Sequence, residues 1–171
     1  MTPKVWLIGM MSSGKTKVGR KLSRRSGHPL VDVDDAIVER AGMTIPEIFA
    51  SQGEPTFRIM EAEEVARIAA SRQRLVVATG GGAILDGTSR QLMRKTGLVV
   101  WLQPSIASLI AKGKTRNRPL LQGHDSLGAR YTEIWEARKH LYEEAAHFSI
   151  PMDGKSRKTV AAEVWRLWQA S

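Results

Sequence analysis

The chain contains no cysteine, which excludes disulfides and thiolate-bound metals. Long hydrophobic runs are missing too. The longest, such as Leu98-Val99-Val100-Trp101-Leu102, fall far short of the ~20 apolar residues that span a bilayer. Val5 to Met11, after Lys4, resembles the core of a secretory signal, but no small-residue cleavage site follows it. A cytoplasmic location with no membrane partner is expected. Aromatic residues make up 6%, and the basic clusters at 15–25, 112–118 and 155–166 lack the aromatic interleaving of a single-strand binder. Acidic residues are outnumbered, 17 against 26 Lys and Arg, for a formal net charge of +9. Nucleic acid, an anionic membrane or small anionic ligands could each answer that excess. No nucleic-acid motif occurs. The reading kept is therefore solvated helix faces plus a site for anionic ligands, with no nucleic-acid partner.

What is present is ordinary for a soluble domain: 42% hydrophobic and 25% charged residues over 171 positions. That length suits one compact domain over 1–171, and a monomer is expected. Apolar runs alternate with helical patterns at βα spacing. Strands are expected at Lys4 to Ile8, Leu30 to Asp32, Leu75 to Ala78, Leu98 to Leu102 and Phe148 to Met152. Helices are expected over 15–26, 34–41, 44–52, 54–71, 86–96, 105–112, 127–146 and 159–169, and Thr44-Ile45-Pro46-Glu47 reads as a capping box with proline in the first turn. The fold class is α/β, a five-stranded parallel sheet with helices on both faces. Its ligands belong at the carboxyl ends of the strands. The stretch 113–126 mixes Gly, Pro, Lys and Arg without periodicity, as a mobile lid does.

Gly9-Met10-Met11-Ser12-Ser13-Gly14-Lys15-Thr16 matches G-x-x-x-x-G-K-[ST], directly after a strand and opening a helix. Backbone N–H groups of such a loop turn onto phosphate oxygens, and the helix N-terminus adds favourable partial charge. Lys15 is expected to reach the β- and γ-phosphates of a nucleoside triphosphate, and the Thr16 hydroxyl to ligate Mg²⁺. The most apolar strand, Leu75 to Ala78, ends in Thr79 and then glycines, so the usual metal-side aspartate is absent there. Asp32, ending the second strand, is the natural substitute, which points towards small-molecule kinases.

Four further features sit on the same loops. Asp32-Val33-Asp34 offers two carboxylates, for metal and acceptor hydroxyl, or simply as a helix cap and first-turn acid. Arg58 and Glu61, three apart on a helix, make either a surface ion pair or a guanidinium oriented to grip a carboxylate. Gly80-Gly81-Gly82 is either a plain turn or a loop bringing N–H donors close to a substrate. Arg118, in Arg118-Pro119-Leu120-Leu121, can close over a transferring phosphoryl group, while Arg138 reads by default as a surface residue.

Taken in order, the phosphate loop, the D-x-D, the G-E-x-x-F-R-x-x-E stretch, the triple glycine, the R-P-L-L segment and Arg138-Lys139-His140-Leu141-Tyr142 resemble the shikimate kinase family over nearly the whole chain. The resemblance implies a phosphate-loop kinase of the nucleoside-monophosphate-kinase type, with acceptor-binding helices over about 34–61 and a lid over about 112–126. It implies ATP-dependent phosphorylation of the 3-hydroxyl of shikimate with Mg²⁺, on the route to chorismate and aromatic amino acids. Asp34, Arg58, Gly80, Gly81 and Arg138 would bind shikimate, the two arginines on its carboxylate and Asp34 on the reacting hydroxyl. Ile45, Phe49, Phe57 and Pro119 would form apolar walls. Asp32 would hold Mg²⁺ through water, and Arg118 with Lys15 would stabilise phosphoryl charge. Two segments depart from the family pattern, Ala111-Lys112-Gly113 and Asp153 to Arg157, so adenine contacts stay unassigned. The rivals are a gluconate- or nucleoside-type kinase, a non-catalytic relative that only binds, and a basic nucleic-acid-binding ATPase.

Overall fold

The computed structural model describes residues 2–112 and 127–171. Five strands, β1 (Lys4–Ile8), β2 (Leu30–Asp32), β3 (Leu75–Ala78), β4 (Gly97–Gln103) and β5 (Phe148–Pro151), form one sheet in the order β2-β3-β1-β4-β5. Every pairing is parallel, with Trp6 beside Val77 on one side and Val99 on the other. The three inner strands read as unbroken apolar runs because both of their faces are covered. β1 shows the split residue by residue: Trp6 and Ile8 enter one core, Val5 and Leu7 the other.

Helices α1 (Lys15–Ser26) and α7 (Arg157–Gln169) supply Val18, Leu22, Val164 and Trp168 to the core that holds Val5 and Leu7. The opposite core is covered by α2 (Val33–Ala41), α3 (Ile45–Ala70), α4 (Gly87–Thr96), α5 (Ile106–Lys112) and α6 (Leu127–Ala145). Helices therefore lie on both faces, as expected from the alternation of patterns.

Local signals explain most of the helix ends. α1 stops at Gly27, whose N–H caps Ser23 O in the left-handed conformation. α3 opens with the Thr44/Glu47 capping box and Pro46. The two helices expected over 44–52 and 54–71 are both present and meet at Gly53, whose φ 79 and ψ 167 are not helical; together they are called α3. α7 starts at Arg157, two residues before the expected Thr159, because Ser156 accepts the Thr159 N–H at 3.0 Å and so becomes the N-cap. The expected lid, with Arg118 and Pro119, lies outside the described residues.

Candidate active site

The chain reverses its direction of travel across the sheet around β1, and the loops after β1, β2 and β3 open on one edge. Together they enclose a cavity of about 320 Å³ lined by Ser12, Lys15, Thr16, Asp32, Asp34 and Arg157, among others. Each loop delivers one part of it.

After β1, residues 9–14 wrap around the Lys15 ammonium, which donates to Gly9 O at 2.7 Å, Met10 O at 2.9 Å and Ser13 Oγ at 3.3 Å. Lys15 is only 8% exposed, so its charge is held by its own loop and faces the cavity. The next residue, Thr16, donates its hydroxyl to Asp32 Oδ2 at 2.6 Å. Asp32 Oδ1 meanwhile accepts the Asp34 N–H at 3.1 Å, so Asp32 both caps α2 and touches the phosphate loop. The two readings of Asp32 are therefore compatible.

After β3, Gly80, Gly81 and Gly82 lie in close approach to other groups, and at Gly81 that group is backbone. A Cβ on Gly80 would press into the Glu61 and Asp34 carboxylates, one on Gly81 would lie 2.9 Å from Met11 N, and one on Gly82 would collide with the Arg58 guanidinium. Three bare α-carbons thus let the acceptor-side groups and the phosphate loop meet around one turn.

Arg58 is locked in place. Its Nη1 donates to Glu61 Oε2 at 2.6 Å, and its Nη2 and Nε both donate to Glu54 Oε1, at 2.9 and 3.1 Å. Of a guanidinium's five N–H donors these use three, leaving one on each terminal nitrogen uncommitted among the described residues. Burial works against the Arg58 charge, but Glu61 and Glu54 outweigh it and hold its pKa above the ordinary arginine value. Glu61 is 2% exposed. Burial raises its pKa above the ordinary glutamate range, with Arg58, Arg138 and Lys15 pulling it part of the way back. Its Oε1 is buried with no hydrogen-bond partner among the described residues.

Arg138 is no surface residue. It is 8% exposed and donates to Gly81 O at 3.3 Å, beside the Tyr142 hydroxyl, which donates to the same oxygen at 2.7 Å. Burial lowers the Arg138 pKa, Tyr142 opposes that, and the nearby positive charge of Arg58 lowers it further. An anion placed between the two arginines would relieve that strain on the charge. Phe49 and Phe57 pack tilted, 5.0 Å between centroids, on the same helix as Arg58, with Ile45 and Phe49 half-buried against the core.

Three side chains at the site were given no role by the sequence. Arg157 carries its guanidinium over the phosphate loop, where a Cβ on Gly14 would lie 3.0 Å from Nε, and that Nε is buried without a hydrogen-bond partner among the described residues. Nothing in the sequence around Arg157 announces this, because β5 and β1 are brought together only by β4. Tyr131 and Tyr142 reach the phosphate loop and Gly81 respectively. A signal for these did exist: Tyr131, Arg138 and Tyr142 are spaced seven and four apart, one face of a helix.

A parallel sheet with a phosphate loop after its central strand, and an arginine-bearing pocket beside that loop, defines a phosphate-loop kinase acting on small molecules. The comparisons narrow this. A family model described as shikimate kinase matches residues 11–168. The shikimate kinase of Symbiobacterium thermophilum is 45% identical over 161 residues, 92% of this chain and 91% of its own. That of Moorella thermoacetica is 42% identical, covering 96% and 93% of the two chains. A solved structure of shikimate kinase from Acinetobacter baumannii in complex with shikimate superposes with a TM-score of 0.94, at 32% identity over 99% of this chain and 94% of that one. The chain belongs to the shikimate kinase family.

Proposed function

We propose that this chain transfers the γ-phosphoryl group of ATP to the 3-hydroxyl of shikimate, giving shikimate 3-phosphate on the route to chorismate and the aromatic amino acids. The observation that carries the reading is the meeting at Gly81. Its α-carbon lies against the phosphate loop, and its carbonyl receives Arg138 from the acceptor side. Donor and acceptor sites therefore share a wall, as direct transfer requires.

In this reading Gly9, Met10, Met11, Ser12, Ser13 and Gly14 cradle the phosphates with their backbone, and Lys15 exchanges its carbonyl partners for phosphate oxygens. Arg58 and Arg138 grip the shikimate carboxylate, and the Gly80 and Gly81 backbone closes over the ring. Asp34 faces the reacting hydroxyl, whose oxygen forms the new bond to phosphorus as the bond to the ADP oxygen breaks. The hydroxyl proton passes to the Asp34 carboxylate. Arg118 is assigned to the phosphoryl group from the lid, and Arg157 adds a cation on the nucleotide side. Residues 1–171 act as one kinase domain.

The donor set suits Mg²⁺. Thr16 Oγ1 and Asp32 Oδ2 are hard oxygens 2.6 Å apart at the mouth of the phosphate loop. Among the described residues no cluster of three His, Asp or Glu forms a dedicated metal cage. A site of one hydroxyl, one carboxylate acting through water and the nucleotide's own phosphates needs none. When bound, the ion neutralises charge on the β- and γ-phosphates.

The test is ADP production from ATP with shikimate, gluconate or nucleosides as acceptor. Shikimate is expected to be turned over far faster than the others. Preference for gluconate or a nucleoside would overturn the substrate, and ATP binding without turnover of any acceptor would make the chain a binding protein.

A further inference from the structure

Ser12 is the one non-glycine residue with positive φ among the described residues, at 65°. It sits in the middle of the phosphate loop, where its backbone N–H is one of the donors that define the anion cradle. A side chain disfavours this left-handed conformation, so the turn needs support from outside the loop. The support is visible. The hydroxyl of Tyr131, a residue with no exposed surface, donates to Ser12 Oγ at 2.8 Å. The bond spans 119 positions of sequence, from α6 to the loop after β1. It spends the tyrosine's proton on Ser12 and fixes the serine rotamer while leaving the serine's own proton available to a phosphate.

We propose that Tyr131 is a positioning residue for the nucleotide: by holding the Ser12 side chain it keeps the phosphate loop in the left-handed turn that aims its amides at the phosphates. The bond needs a serine and a tyrosine together. Glycine at position 12 would adopt the turn unaided, so the tyrosine hydroxyl would then have no positioning work to do.

The test is a double-mutant cycle of Tyr131→Phe and Ser12→Gly, read by calorimetry as the affinity for Mg²⁺-ATP in the absence of acceptor. Tyr131→Phe is expected to weaken ATP binding roughly 3- to 10-fold, the loss typical of one neutral hydrogen bond. In the Ser12→Gly background the same change is expected to move the affinity by less than about twofold. Shikimate affinity is a second readout. α6 also carries Arg138, so a general disturbance of the helix would weaken shikimate binding as much as ATP binding. Equal losses of ATP affinity in both backgrounds, parallel losses for both ligands, or a lower melting temperature with unchanged ATP affinity would each reduce Tyr131 to a packing role. The inference rests on the proposed use of ATP but not on the acceptor. A chain that binds ATP yet leaves shikimate untouched would overturn the proposed reaction, while the binding cycle would still decide the role of Tyr131.

Discussion

At the scale of single residues, the site works by crowding charges that would be unstable alone. Lys15 is buried among carbonyl oxygens of its own loop, so its charge is held at the wall of the cavity. Lys15→Met is expected to lower kcat by at least about 100-fold while the melting temperature stays near that of the parent. Near-normal turnover by the folded variant would remove Lys15 from the mechanism. Asp34→Asn preserves size and removes the charge, so phosphoryl transfer should be lost with ATP affinity retained. Calorimetry showing both lost together would move Asp34 to the nucleotide or metal site. In the proposed reading Arg58 and Arg138 share one task from two helices. Truncating Arg58 to alanine should reduce kcat/KM for shikimate roughly 30- to 5000-fold, equivalent to about 2–5 kcal/mol. The check is a cycle against the analogue lacking the carboxylate. Wild type should discriminate strongly and Arg58→Ala hardly at all. Additive effects would leave Arg58 as no more than the ion-pair partner of Glu54 and Glu61.

At the scale of elements, α3 shows how a helix break serves the site. Gly53 has φ 79 and ψ 167, a region open almost only to glycine, and Pro55 follows it at the start of the second half. The break redirects the chain so that Arg58, on the second half, can reach Gly82 while the first half packs Ile48 in the core. A Cβ at Gly53 meets only Pro55 Cδ at 3.6 Å, so the strain of substitution lies in the backbone and not in a collision. Gly53→Ala is therefore expected to cost about 1–3 kcal/mol of stability and to raise KM for shikimate more than KM for ATP. Chemical unfolding gives the first quantity and steady-state kinetics the second. An unchanged unfolding midpoint would show that the bend is not imposed by position 53.

At the scale of the whole molecule, two ionisable groups tie the fold to neutral pH. The imidazole Nδ1 of His147 accepts the Val99 N–H at 3.0 Å, extending the β4–β5 ladder with a side chain. Burial and the nearby Arg94 lower its pKa, consistent with a bond that only the neutral ring can accept. A depressed histidine contributes stability that is present above its ordinary pKa of ~6.5 and lost as the pH falls through the folded value. Glu64, 0% exposed, is bracketed by Arg67 and by Arg40 at 3.1 Å. Burial opposes its charge, but the two arginines prevail and its pKa is lowered, so its contribution is lost only on further acidification. Glu61 has the opposite sign: its raised pKa means that its contribution is greatest in acid and declines as it ionises. Urea midpoints are thus expected to fall in two stages, one starting near pH 6.5 and one below about pH 4.5. His147→Asn keeps an acceptor without a titration, so the first stage should vanish. Its persistence would assign that stage to another group. Among the described residues no helix is long and apolar enough to cross a membrane.

The strands, the phosphate loop and most helix ends were legible in the sequence because each depends on residues close together in the chain. Continuous apolar runs marked β1, β3 and β4, Gly27 ended α1, and the capping box opened α3. The pairing of Arg58 with Glu61 was equally local, three positions apart on one helix. What a linear pattern cannot carry is the approach of distant backbone. Only the sheet order brings the turn at Gly81 against Met11 and under Arg138, residues separated by dozens of positions. That approach buries an arginine whose residue type and position alone read as surface, and sets it against the Gly81 carbonyl. It also sets Arg157 over Gly14 and Tyr131 on Ser12. Short-range propensity determined the elements, whereas long-range packing on the two faces of one sheet decided which polar groups meet, because desolvation and charge pairing exist only after the layers have closed.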